Sequence, residues 1–183
     1  GGTGVEAQAM GTPHDLAARV LGSNQGSSDC SKDATPEQGR ARGINHPEIT
    51  VGDEDEGRPV GVIVHHVGTG YLRNRDRSSA WVRGENPDPP TPGLNKLHHE
   101  QNPYPEKEET LRFLEHNASE MAAFIRGLSE ADLAKPGRFV TGPTTVGDFV
   151  CRILPYHVHW HMGSILATWE ARAAPSPSAT DWR

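Results

Sequence analysis

The feature that most constrains this chain is a stripe of apolar residues and histidines between Val146 and Thr168. Val146, Phe149, Val150, Ile153, His157, His161, Ser164, Ile165 and Thr168 recur at three- and four-residue steps, the pattern of a helix with one buried face. His157 and His161 lie on that face. Four residues make about one turn, so both imidazoles project the same way, about 6 Å apart along the axis. An unpaired polar group on such a face costs on the order of 1–3 kcal/mol, and a metal ion satisfies two imidazoles at once; the alternative is a pair of hydrogen-bonded core histidines. No glutamate follows the first histidine, so this is not the His-Glu-x-x-His signature of zinc proteases. His159 falls about 200° round the helix from His157, in line with Arg152 and Glu170, and reads as solvent-facing.

A catalytic site of this kind needs a third ligand, and the run Pro59 to Val67 offers His65 and His66. Proline suits the first turn of a helix, and the acidic run Asp53 to Glu56 favours a helix N-terminus through the dipole. The run is β-branched, so a buried strand competes, but its continuation through Leu72 and Arg73 is longer than most strands and favours a helix. Neighbours on a helix diverge by about 100°. His66 shares its face with Val62, Ile63 and Thr69, and His65 with Gly61, Val62 and Leu72, so periodicity barely separates the two.

A histidine on the second helix, followed about 90 residues later by His157-x-x-x-His161-x-Gly163-x-Ile165, resembles the DinB/YfiT-like superfamily of metalloenzymes. Leu128 to Leu133 and Thr144 to Phe149 are weaker matching elements, and the resemblance spans roughly residues 57–172. It implies an all-α fold, a DinB-like four-helix bundle with long irregular loops, and a metal site of His66, His157 and His161. It also implies a divalent metal, zinc before nickel or iron, and a small-molecule substrate. Thiol-dependent S-transfer and maleylpyruvate isomerisation occur in such proteins, so a low-molecular-weight thiol is an implied second cofactor. The arginine-rich, lysine-poor usage suggests a high-GC source, in which that thiol would be mycothiol. Dimers are common among similar bundles, so a homodimer is the implied assembly.

The chain also departs from that pattern. Residues 22–58 are polar, and only Leu16 to Leu21 offers an apolar helical patch, so the first helix is expected to be short, displaced or partly disordered. Arg58 stands where similar proteins often carry tryptophan. Pro155 removes a backbone donor and crowds the carbonyl of Cys151, which predicts a kink just before the histidine pair.

Composition sets the outer bounds. With 183 residues and 34% hydrophobic content the chain has material for one small core, expected over 13–172. Residues 1–12 read as an N-terminal tail or appended remnant, with Met10 a candidate start, and 173–183 as a C-terminal tail. A net charge of −6 argues against nucleic acid, which wants a basic face. No apolar run is long enough to span a membrane and no secretory segment is present, so the expected location is cytoplasmic. Cys30 and Cys151 make no disulfide framework, and Cys151, about 240° from His157, reads as core and not as a ligand. Asn117-Ala118-Ser119 matches a glycosylation acceptor but lacks secretory context.

Breakers and periodicity place the rest. The proline-rich stretch Glu85 to Gly93 ends the second helix after Trp81, Val82 and Arg83. Glu106 to Leu128 reads as the third helix, with Leu111, Leu114, Met121, Phe124, Ile125 and Leu128 inward and Glu115 and Glu120 outward. Gly137 to Pro143 reads as a loop, with Thr144 or Thr145 capping the last helix. Leu94 to Tyr104 reads as an exposed polar loop; the resemblance places it near the pocket mouth, which makes Asn95, His98 and His99 candidate substrate contacts. The pairs His65/His66 and His98/His99 form an alternative metal set. Tyr156 and Trp160 border the histidine pair and are candidates for lining an apolar pocket, or are simply core. The catalytic residues beyond the ligands, and the choice between transferase, isomerase, hydrolase or cyclase, and non-catalytic binding protein, are not set by the sequence.

Overall fold

The computed structural model describes residues 11–43 and 57–173; the expectations for the extreme termini and for the acidic run Asp53 to Glu56 lie outside them. Four long helices form the body: α1 (Pro13–Lys32), α3 (Val60–Val82), α5 (Lys107–Arg126) and α8 (Leu154–Ala173). Contacts run α1 to α5, α5 to α3, α3 to α8 and α8 to α1, so the four close a ring. Its core is built from Leu16, Val20, Ile63, Tyr71, Trp81, Leu114, Met121, Ile125, Phe149 and Leu154.

The first helix corrects the expectation of a short or displaced element. It runs 20 residues, opened by a reciprocal capping box between Thr12 and Asp15 with Pro13 at its first position; the box satisfies otherwise unpaired backbone donors and the proline removes one. Its second half does turn a face inward, but that face is Asn24, Ser27 and Ser31. Small side chains allow close packing without an apolar signature, which is why polarity misled there. Helix α2 (Pro36–Arg40) follows, with its own capping box from Thr35 and Gln38.

Helix α3 begins at Val60 with Pro59 as its N-cap and settles the strand alternative. Gly68 lets α5 approach: a Cβ there would lie 2.9 Å from the Phe113 ring and 3.4 Å from the Leu114 Cα. At the same crossing Asn117 is buried and its Nδ2 donates to the Gly68 carbonyl at 3.0 Å, so the glycosylation-like triplet is part of the helix interface. Beyond α3, irregular backbone from Glu85 leads to α4 (Gly93–Gln101). The polar-loop reading of residues 94–101 is thereby corrected to a helix. After α5 come α6 (Glu130–Leu133) and a two-stranded hairpin, β1 (Pro136–Phe139) and β2 (Gly142–Thr145), where a plain loop was expected. The hairpin packs through Gly137 flat on Trp81, closer than any side chain there would permit.

The last segment enters through a short turn α7 (Val146–Asp148), capped by the Thr145 hydroxyl, which accepts from the Asp148 amide. A π-helical turn spans Phe149–Ile153, and α8 continues from Leu154. Pro155 explains the turn: it offers no N–H and its ring crowds the carbonyl one α-turn back, and a widened turn relieves that crowding. One residue is also absorbed, so the buried row passes through Leu154, Val158, His161, Ile165 and Thr168, and Ile153 is displaced from it to a half-buried place.

Candidate metal centre

The site lies where α3 faces α8. From α3 comes His66, 7% exposed; from α8 come His161, 2% exposed, and the half-buried His157. One ring nitrogen from each lies within 4.8 Å of the others. His157 Nε2 and His161 Nε2 are 3.0 Å apart, against about 3.3 Å for two imidazoles on one tetrahedral zinc at bond lengths of about 2.0–2.1 Å. The His66 ring stands edge-on to both, with centroids 5.4 Å from His157 and 4.9 Å from His161. Its Nδ1 is buried and makes no hydrogen bond. Three convergent imidazole nitrogen donors, close to ligand spacing, fit a divalent cation of the zinc, nickel or iron type. No carboxylate joins this cluster among the described residues.

Burial keeps the imidazoles in the form that can act as ligands. Desolvation first, then the nearby His161 and His157 rings and Arg58, hold His66 well below the usual histidine range. His157 is lowered in the same way by burial, then by His161 and Arg58. A neutral imidazole offers a lone pair without first releasing a proton.

The adjacent His65 takes another path. Its ring stacks on Phe113 at 4.9 Å, and its Nδ1 is 2.8 Å from Nε2 of His98. His98 is 1% exposed, and its ring lies 5.6 Å from that of His66. Burial, then His65 and the cations Arg73 and Arg58, lower the His98 pKa to about 4. His98 is therefore an interior group of this centre and not a side chain on an exposed loop. His99, one position on, is half-buried and lines a separate cavity of about 860 Å³ with Val60, Tyr104 and Trp169. None of the three clustered histidines lines that cavity.

The other candidates are spread around the cluster. Trp160 stacks on the His161 ring at 5.0 Å, with its Nε1 buried. Tyr156 is 50% exposed. Asn95 is half-buried in the first turn of α4, and His159 is exposed. Cys151 is half-buried and accepts from Arg19 Nη1 at 3.2 Å. Three features were not legible in the sequence. The His65–His98 pair joins residues 33 apart. Arg58 precedes the helix yet its charge reaches His66, His98 and His157. Gly70 on α3 leaves room for His157, whose Cε1 would be 3.8 Å from a Cβ there. Periodicity carries a signal for Gly70 alone, one turn beyond His66.

The family model of the DinB superfamily matches residues 28–165. Among solved structures, YfiT from Bacillus subtilis, described as a probable metal-dependent hydrolase with an unusual four-helix bundle topology, superposes with a TM-score of 0.70 at 13% identity, covering 88% of this chain and 87% of that one. No curated protein sequence matches. No helix among the described residues is long and apolar enough to cross a membrane.

Proposed function

The chain belongs to the DinB superfamily, and from that premise we propose that it is a metal-dependent enzyme acting on a small molecule, with His66, His157 and His161 as the protein ligands. The observation that carries this reading is the composition of the cluster: three imidazoles and no carboxylate among the described residues. Such a set leaves a bound divalent ion with its full positive charge and at least one position not taken by protein, the arrangement of catalytic sites. A zinc ion held there supplies a lowered pKa to a coordinated water or thiol and polarises a substrate carbonyl.

The protein residues then divide the work. Burial holds His66 and His157 neutral at working pH, Trp160 braces His161 by stacking, and Arg58 adds a second positive charge to the site's field. A divalent ion held by neutral imidazoles favours an anionic ligand in its open position. A thiolate meets that demand, so the preferred activity is a thiol-dependent transferase or isomerase, with zinc as the metal and mycothiol as the class of thiol. A second reading, hydrolysis with water in that position, is favoured by the description of the YfiT structure. Tyr156 and Asn95 are the proposed outer contacts to substrate, and His99, which lines the separate cavity, is not.

Cobalt substitution separates the two. The Co(II)-loaded protein titrated with N-acetylcysteine or glutathione is expected to develop a thiolate-to-cobalt charge-transfer band. Absence of that band, together with turnover of an activated ester, would replace the thiol reading with the hydrolase.

A further inference from the structure

Helix α4 buries a single side chain, and that side chain is a histidine. Of its nine residues only His98 is buried, at 1% exposure, while the neighbouring Leu97 remains 45% exposed. A helix docked for hydrophobic gain alone would turn the leucine inward and leave the imidazole in water. Here the preference is inverted, and the inverted residue meets the metal centre. The His98 ring is edge-on to His66, with centroids 5.6 Å apart and planes at 70°. Its Nε2 is 2.8 Å from His65 Nδ1, and its Nδ1 is buried without a hydrogen bond. His66 is thus held between rings on two sides, His157 and His161 from α8 and His98 from α4.

We propose that His98 is a positioning residue for the metal site: delivered by α4 and tied to His65, it fixes the orientation in which His66 presents its ligand nitrogen. The inference rests on the metal-site reading above and adds a third helix to that site. Outer groups that orient a metal-bound histidine are worth about 10–100-fold in affinity when removed. His65 is the anchor that makes His98 effective, since its ring is itself fixed against Phe113 at 4.9 Å. Asn102 locks the end of the same helix, with its Nδ2 donating to the His98 carbonyl at 3.0 Å.

The test compares His98→Leu and His98→Gln with the wild-type chain, each loaded with Zn(II) and Co(II) and each melted without metal. The expected result is a 10–100-fold weaker affinity in His98→Leu, an altered Co(II) d–d spectrum, and partial recovery of both in His98→Gln, whose side chain can still hydrogen-bond. If metal-free His98→Leu does not fold, His98→Gln carries the test alone: weaker binding with an altered spectrum supports the role. Affinity within about twofold of wild type and an unchanged Co(II) spectrum in a folded variant would overturn it. Wild-type protein that takes up neither ion would overturn the metal reading itself, an outcome distinct from failure of His98 alone.

Discussion

Helices α8 and α4 both carry histidines to the same centre, and they do so by opposite means. Helix α8 is long, and its histidines ride on an apolar row that would be buried whether or not they were there. Val158, Ile165 and Leu154 secure the helix, and His157 and His161 are carried inward with them. Helix α4 has nine residues, no other buried side chain and an exposed Leu97, so there His98 is itself the buried contact. Burial of a histidine on α8 is therefore nearly free of interpretation, because its neighbours account for it. Burial of His98 is informative, because no fully buried apolar residue on its own helix accounts for it.

Ligand removal should give the largest effect and sharpens the α8 side of the comparison. His157→Ala, His161→Ala and His66→Ala are each expected to abolish metal retention through dialysis, whereas His159→Ala leaves it unchanged and His65→Ala, which removes the anchor of His98, keeps the metal less tightly. Equal losses from all three α8 histidines would mean that the helix faces another way. His98→Leu should fall between these extremes, at about 10–100-fold weaker binding, and Leu97→Ala beside it should change stability by less than about 0.5 kcal/mol. A larger effect at Leu97 than at His98 would break the contrast between the two helices.

Acid should destabilise the metal-free protein in a defined window. Unfolded imidazoles titrate near 6.5, while His98 is held at about 4 and His66 and His157 lie well below their usual range. Between those values the unfolded chain binds more protons than the folded one, so stability is full above about pH 6.5 and declines as the pH falls toward about 4. Thermal melts across that range check the sign, and the decline should be shallower in His98→Leu. A melting temperature that rises on acidification would contradict it. Gly68→Ala is a smaller, structural test: its Cβ would press on Phe113, the ring that supports His65, at 2.9 Å. Overpacking of that kind costs about 1–3 kcal/mol, read from chemical denaturation.

The same contrast explains what could be read from sequence. The α8 stripe, the α5 stripe and the extent of α3 were legible because long amphipathic helices repeat their signal over several turns. Even there Pro155 hid a π turn, and the one-residue shift exchanged Ile153 for Leu154 in the buried row. Periodicity left His65 and His66 undecided, since adjacent residues on a helix buried on most sides share apolar neighbours; the packing of α5, through Gly68 and Phe113, separates them. The second half of α1 was illegible because its buried face is Asn24, Ser27 and Ser31. Helix α4 was illegible because one turn of burial leaves no period to detect. The His65–His98 pair and the approach of Arg58 exist only once distant segments meet.

Elemental analysis of the untagged protein beside its His157→Ala variant tests the central claim most directly. The account predicts about one divalent metal ion per wild-type chain and almost none in a variant that remains folded. Equal metal content in the two proteins, or none in the wild type after reconstitution, would contradict it.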